Sequence, residues 1–161
     1  MNKISSIKTN PEQGSVAAAL QTVLNDSHAL YHLTHHCHFN VEGKHFYGLH
    51  HLFDEQYNEL FESFDVIGER IRALGEYVDF TEASSFDPSA KIKKIASIPQ
   101  ADERATAMVK DLVAMHDIVI ASCQSAKSIA DQAKDDVTVD LMISRLAALE
   151  KAKWMLLSSA K

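Results

Sequence analysis

The amino-acid sequence predicts an all-α protein, a bundle of four long helices with a long crossover between the second and third. Three observations support this fold class. Apolar residues recur at helical spacing along four long segments. The 161 residues include only five glycines and three prolines, which favours long uninterrupted helices. An irregular stretch at 76–99 separates the second segment from the third, and a connection of that length is expected to cross the bundle.

The chain is expected to form one domain after a short tail. Residues 1–14 are polar and are predicted to be flexible, whereas residues 15–161 form the helical domain. The first helix is predicted over about 15–40. The second is predicted over about 45–74, and Gly75 stands just past its last turn, where glycine commonly ends a helix.

The second half of the chain repeats this arrangement after the crossover. A short helix is predicted near 88–95, within the crossover itself. The third helix is predicted over about 101–132 and the fourth over about 137–158. Two helices, a long crossover and two further helices are the connectivity of a ferritin-like four-helix bundle.

Composition narrows the class of protein. Hydrophobic residues make up 46% and charged residues 24%, which is ordinary for a soluble globular protein. A formal net charge of −6 argues against a protein that simply coats nucleic acid. Cys37 and Cys123 are too few for a disulfide framework, and no apolar run is long enough to span a membrane. A cytoplasmic location is therefore expected.

Two histidines and three carboxylates form the most informative pattern: His38, His50, Asp54, Asp65 and Glu69. Such a mixed nitrogen and oxygen donor set suits iron(II), zinc or manganese. His50 lies four residues before Asp54, and Asp65 four before Glu69. Each pair therefore shares one face of the second predicted helix.

The spacing between the two pairs places a condition on any shared metal site. Asp65 follows Asp54 by eleven residues, close to three helical turns, so both pairs lie on the same stripe. At 1.5 Å per residue they are roughly 16 Å apart along the axis, beyond the reach of one ion. If all five residues bind one centre, two copies of this helix must meet antiparallel about a two-fold axis.

Simpler interpretations exist for each residue alone. A single histidine is commonly satisfied by ordinary hydrogen bonds, and a helix carboxylate commonly faces solvent. The joint pattern favours a metal, because three carboxylates on one partly apolar stripe repel one another without a cation. A di-iron site inside one bundle is not expected, because Glu42 and His45 form the only Glu-x-x-His pair and lie between helices.

Five motifs are spread along nearly the whole chain after the tail. They are His38-Phe39-Asn40-Val41 followed by Gly43, Phe46-x-x-Leu49-His50-x-x-Phe53-Asp54-x-x-Tyr57, Asp65-x-Ile67-x-Glu69-Arg70-Ile71 followed by Leu74-Gly75, Asp136-x-Thr138-x-Asp140-Leu141, and Glu150-Lys151-x-x-Trp154-Met155-Leu156. In this combination the sequence resembles Dps, the family of mini-ferritins named for DNA protection during starvation.

The resemblance implies a ferroxidase, an oxidoreductase that acts on iron. It implies that His38, His50 and Asp54 of one subunit bind iron together with Asp65 and Glu69 of its two-fold mate. Iron(II) would be oxidised there, by hydrogen peroxide more readily than by dioxygen. The ferric product would be stored as a mineral inside a hollow dodecamer, which protects the cell against oxidative damage.

Two further carboxylates correspond to pore positions of the family. The resemblance implies that Asp136 and Asp140 line the three-fold pores through which iron passes. Helix capping is the alternative, since Asp135 or Asp136 could cap the fourth helix. The sequence leaves both interpretations open.

Several positions depart from the family pattern. Phe39 stands where the family usually has tryptophan, and Gly68 replaces the usual alanine, which costs about 1 kcal/mol in a helix interior and suggests close packing. One further group of residues consists of closely spaced histidines: His28, His32, His35 and His36. They are interpreted as a polar helix face, with an auxiliary metal path or pH-sensitive surface as the alternative.

Two rival functions remain. The chain could be a nucleoid-associated structural protein that binds DNA, although its lysines are few: Lys3 and Lys8 in the tail, and Lys91, Lys93 and Lys94 in the crossover. It could also be a non-catalytic reservoir for zinc or manganese.

Overall fold

A computed structural model describes residues 11–81 and 84–159, which form five α-helices and no strand. They are α1 (Pro11–Asn40), α2 (Phe46–Ala73), α3 (Pro88–Ala96), α4 (Ala101–Gln132) and α5 (Asp136–Ser159). The prediction of an all-α bundle with a short helix in the crossover is confirmed. No helix in these two ranges is both long and apolar enough to cross a membrane.

The first helix begins earlier than expected. It starts at Pro11 rather than near Ser15, so residues 11–14 of the predicted tail belong to a helix. Proline suits a helix start because its fixed φ is helical and the first turn needs no main-chain N–H donor. The rest of the predicted tail, residues 1–10, lies outside the described residues.

The long helices pack as two hairpins. A short connection at 41–45 joins α1 to α2 as antiparallel neighbours, and α4 is joined to α5 in the same way. The hairpins meet mainly where α1 packs against α4. Fully buried side chains from all four long helices fill the centre, among them Leu20, Leu24, Phe53, Leu60, Ile67, Met108, Leu112 and Met142.

Gly75 ends α2 as the sequence predicted. It has a φ of +96°, a left-handed conformation that glycine adopts without steric cost. The main-chain N–H of Glu76 donates to the carbonyl of Ile71 at 3.3 Å, and that of Gly75 to Arg72 at 3.0 Å. This paired arrangement satisfies the last carbonyls of the helix and turns the chain into the crossover.

Polar side chains fasten the crossover to α1. The Gln21 amide donates to the carbonyl of Asp79 at 2.8 Å and accepts from its N–H at 2.9 Å. The fully buried Asp26 carboxylate accepts from the Ser85 hydroxyl at 2.8 Å. Because these contacts satisfy buried polar groups, they hold the long connection in one path.

Candidate metal centre

The hairpin of α1 and α2 brings His38 and His50 together. His38 lies near the end of α1 and His50 in the second turn of α2, on either side of the short connection. The imidazole Nδ1 of each residue lies 3.0 Å from the main-chain carbonyl oxygen of the other. The two rings stack with centroids 3.9 Å apart and planes 23° from parallel.

These reciprocal hydrogen bonds fix the tautomer of both rings. A carbonyl oxygen can only accept, so each Nδ1 carries the hydrogen. In the neutral ring Nε2 then keeps its lone pair, which is the form of imidazole that binds a metal. A hydrogen bond from the other ring nitrogen orients a histidine ligand towards its metal. Such hydrogen bonds cannot be predicted from a sequence pattern.

Asp54 lies one turn beyond His50 on α2 and is held by Tyr57. The Tyr57 hydroxyl donates to Asp54 Oδ1 at 2.7 Å, and this hydrogen bond raises the pKa of Tyr57. The Tyr57 ring lies 5.2 Å from the His38 ring, edge to face. Tyr57 stands in one of the sequence motifs without a predicted role at the site, although its three-residue spacing from Asp54 indicates contact on a helix.

Asp65 and Glu69 lie farther along α2, and both are exposed. Within residues 11–81 and 84–159, no group of three or more His, Cys, Asp or Glu side chains is close enough to hold a metal ion. One chain thus pairs His38 with His50 and does not complete the five-residue site.

Ionic contacts occupy two acidic groups elsewhere in the bundle, one of them Glu42 of the Glu-x-x-His pair. Glu42 forms an ion pair with Arg104, which joins the α1–α2 connection to α4. Between α2 and α5, the largely buried Arg145 binds both carboxylate oxygens of Glu59. A guanidinium therefore neutralises the carboxylate there.

Asp135, and not Asp136, caps the N-terminus of α5. Its carboxylate accepts from the Thr138 N–H at 3.1 Å and from the Thr138 hydroxyl at 2.6 Å, and Arg70 donates to it at 2.6 Å. Burial raises the pKa of Asp135, but the hydrogen bonds from Arg70 and Thr138 outweigh it, so the pKa lies below its usual value. Asp136 and Asp140 stay exposed on the first turns of α5.

The additional histidines pack largely against aromatic rings. His28 stacks on Phe64 with centroids 3.8 Å apart, and burial lowers the pKa of His28. His35 lies 4.6 Å from the Phe39 ring and 4.4 Å from the Tyr57 ring. The interpretation as a simple polar face is therefore wrong for these two residues, while His32 is exposed.

Three other residues adjoin the proposed ligands in the sequence: Cys37, Phe39 and Gly68. Cys37 is completely buried, and burial raises the pKa of its thiol, as expected for a structural cysteine. Phe39 is 70% exposed in the isolated chain. A Cβ added at Gly68 would meet only Val78, at 3.6 Å, so packing within the subunit does not require glycine there.

Comparison with known proteins agrees with this architecture. A family profile described as the ferritin-like domain matches residues 17–159. The five-helix topology and this match define the class, a ferritin-like protein.

Individual relatives specify the family more closely. The DNA protection during starvation protein of Brevibacillus brevis is 33% identical over 150 residues, covering 93% of this chain and 97% of that protein. DNA protection during starvation protein 2 of Bacillus anthracis is 31% identical over 146 residues, covering 88% and 93%. The crystal structure of a Dps protein from Bacillus brevis aligns with a TM-score of 0.73 at 30% identity, covering 94% of this chain and 99% of that one.

The chain belongs to the Dps family of ferritin-like proteins. The resemblance seen in the sequence motifs is thereby confirmed.

Proposed function

We propose that the protein is a ferroxidase that oxidises iron(II), with hydrogen peroxide as the preferred oxidant, at sites shared between two subunits. The observation that carries this proposal is the interlocked pair of His38 and His50. Their reciprocal hydrogen bonds use both Nδ1 atoms and leave the Nε2 atoms free for a metal, and Asp54 follows His50 by one turn of α2. Iron is the substrate of this reaction and the cargo of the assembly.

The donor set fits iron(II). Neutral imidazole and carboxylate ligands suit Fe(II), Mn(II) and Zn(II), so zinc or manganese could substitute at the same residues. Oxidation converts Fe(II) to an insoluble ferric form that can be stored, whereas Zn(II) has no redox chemistry. Two Fe(II) ions together supply the two electrons that peroxide accepts: 2 Fe²⁺ + H₂O₂ + 2 H⁺ → 2 Fe³⁺ + 2 H₂O.

The second half of each site comes from a two-fold mate in this proposal. Asp65 lies roughly 16 Å along α2 from Asp54, because eleven residues rise 1.5 Å each, and Glu69 lies one turn farther. An antiparallel α2 from a second copy would place its Asp65 and Glu69 beside His38, His50 and Asp54 of the first. A two-fold axis then creates two equivalent sites per dimer.

Exposed aromatic side chains on the α1–α2 hairpin support such a dimer. Phe39 is 70% exposed, Phe61 62% and Phe46 46% in the isolated chain. Phe61 lies between Asp54 and Asp65 in the sequence, where the two copies of α2 would cross. Contiguous apolar surface of this kind commonly marks a protein interface. We propose that the dimers assemble further into a hollow dodecamer that encloses the ferric mineral.

Iron would reach the cavity through pores lined by Asp136 and Asp140. The contacts of Asp135 support this, because Asp135 caps α5 and leaves these two carboxylates exposed. They lie four residues apart and so share one helix face. Repeated by three-fold symmetry, they would form a ring that attracts cations.

DNA binding receives less support from the described residues. Lys91 and Lys94 both approach the Asp111 carboxylate, at 2.9 and 3.7 Å, and Lys153 pairs with Asp117. These pairs reduce the positive charge available to phosphates. The alternative of a structural DNA-binding protein in the nucleoid is tested by a gel shift at physiological salt.

The ferroxidase proposal is tested by mixing the assembled protein with iron(II) and peroxide, then following ferric absorbance and peroxide loss. We expect acceleration over buffer, and loss of that acceleration in His50→Ala and in Asp54→Ala. His51→Ala is the matched control, since His51 is an exposed neighbour on the same helix. Equal rates in buffer and in the wild-type protein would refute a ferroxidase, and tight metal binding without oxidation would favour the reservoir.

A further inference from the structure

We propose that Tyr57 is a redox-active residue of the iron site, which supplies one electron when a single Fe(II) ion meets hydrogen peroxide there, while its proton passes to Asp54. This inference rests on the proposed ferroxidase function. It assigns a further participant in that reaction, on the same subunit as the histidines.

Tyr57 contacts two of the proposed ligands. Its hydroxyl donates to Asp54 Oδ1 at 2.7 Å, which leaves Oδ2 of that carboxylate for a metal. Its ring lies edge to face with the His38 imidazole, at 5.2 Å between centroids. An electron leaving the phenol therefore has a direct contact path to the metal ligands.

The hydrogen bond supplies what phenol oxidation needs. Loss of an electron makes a phenol strongly acidic, so the step is favourable only when a base accepts the proton at once. Asp54 is that base, and it lies at hydrogen-bonding distance in the correct geometry. Phe39, the exposed ring beside His38, has no hydroxyl and cannot take this role.

The step balances in atoms and electrons. Iron(II) and Tyr57 each give one electron, and the O–O bond of peroxide breaks: Fe²⁺ + TyrOH + H₂O₂ → Fe³⁺ + TyrO• + OH⁻ + H₂O. The phenolic proton passes through Asp54 to one of the two hydroxides and forms the water. Without a second electron donor, the same single iron would yield Fe³⁺, OH⁻ and a free hydroxyl radical.

The other readily oxidised side chains are placed differently. Tyr47 and Tyr77 are 76% and 83% exposed, and their rings contact His51 and Arg72. Trp154, the single tryptophan, is 63% exposed on α5. Tyr31 lies 6.0 Å from the Tyr57 ring and is the next aromatic group to which an electron vacancy could move.

The test is freeze-quench electron paramagnetic resonance of the assembled protein, with one Fe(II) per site and excess peroxide. We expect a tyrosyl radical in the wild type and its loss in Tyr57→Phe. Tyr47→Phe is the matched control and should keep the signal. Wild-type protein labelled with 3-fluorotyrosine keeps the phenol, and its radical should show added fluorine splitting, which distinguishes tyrosine from Trp154.

A second measurement separates electron donation from mere positioning of Asp54. With two Fe(II) per site both electrons come from iron, so in Tyr57→Phe one peroxide should still yield two ferric ions and no hydroxyl radical should reach a spin trap. With one Fe(II), it should release hydroxyl radical to a spin trap, whereas the wild type should not. Thermal unfolding and size exclusion confirm that the variant is folded and assembled.

Three results would overturn the redox role of Tyr57. A radical that persists in Tyr57→Phe, or wild-type ferric iron formed without any radical, would overturn the role of Tyr57 and leave the ferroxidase intact. Release of hydroxyl radical by Tyr57→Phe at two irons per site as well as at one would assign Tyr57 a positioning role instead. Failure of the wild type to accelerate ferric formation would refute the proposed function itself, and this inference with it.

Discussion

His38 and His50 each hold the other's main chain through an Nδ1–H hydrogen bond of 3.0 Å. This half of the proposed site is assembled within one subunit, by the hairpin of α1 and α2. Asp65 and Glu69 form a separate half, exposed farther along α2. Substitutions can therefore remove one half and leave the other unchanged.

Complementation between the two halves is the first prediction. We expect a His50→Ala/Asp54→Ala double variant and an Asp65→Ala/Glu69→Ala double variant each to be inactive as ferroxidases. When the two are assembled together, random pairing should restore about a quarter of the sites, because half of the dimers are mixed and each holds one intact site of two. Ferric absorbance on adding iron(II) and peroxide measures the recovery.

A matched mixture provides the control for this experiment. His50→Ala and Asp54→Ala single variants alter the same half, so no pairing of them creates an intact site. That mixture should stay inactive. If the mixture of opposite halves also stays inactive while forming dimers, the sites are not shared between subunits.

His116 makes the stability of the protein sensitive to acid. It is 1% exposed in α4, and burial lowers the pKa of His116 from 6.5 to about 4, against smaller opposing effects from the Leu112 carbonyl, Asp117 and Glu59. Below pH 6.5 the unfolded chain binds a proton that the folded chain does not. The free energy of unfolding should therefore fall by about 3 kcal/mol as the pH drops from 6.5 to about 4.

Replacing His116 tests this pH dependence. His116→Gln is expected to flatten the decline in urea unfolding over that pH range, because glutamine does not titrate. His45→Gln, at an exposed histidine, should decline as the wild type does. If the free energy of unfolding falls equally with pH in the wild type and in His116→Gln, His116 is not the group that causes the decline.

Asp135 joins α2 to the start of α5, so its removal should destabilise the subunit. Asp135→Ala is expected to lower the free energy of unfolding by about 2 kcal/mol, since it removes a helix cap and the carboxylate partner of Arg70. Asp135→Asn keeps a good capping side chain and should lose less. Chemical denaturation at neutral pH compares the two, and equal losses would mean that the cap contributes nothing beyond the ion pair.

Two glycines should respond in opposite directions to alanine. Gly68→Ala is expected to stabilise α2 by about 0.5–1 kcal/mol, because its Cβ finds space and alanine favours helix. Gly43→Ala should destabilise by about 1–2 kcal/mol, because its φ is +96° and a Cβ would collide with the Asp102 carboxylate. Thermal unfolding checks both, and a destabilising Gly68→Ala would show that the glycine is needed where subunits meet.

Most of the helical architecture could be predicted from local patterns. The predicted limits of the second and third helices lie within one residue of α2 and α4, since apolar periodicity and end signals are local properties. The start of α1 was placed too late because a polar first turn carries no periodic apolar signal. The sequence does not distinguish Asp135 from Asp136 as the cap of α5, because spacing alone does not say which carboxylate faces the free N–H groups.

By itself, the sequence determined the five ligand-type residues and the eleven-residue offset that separates them into two halves. Only the tertiary structure decided how the first half is built. The contacts of His38 with His50 link α1 to α2, and twelve residues of sequence do not specify how those helices align. The alignment follows from burial of the apolar faces of both helices, and it sets the tautomers that leave each Nε2 free. The three-residue spacing predicts contact between Asp54 and Tyr57. Only the structure shows that the Tyr57 hydroxyl donates a hydrogen bond to the Asp54 carboxylate.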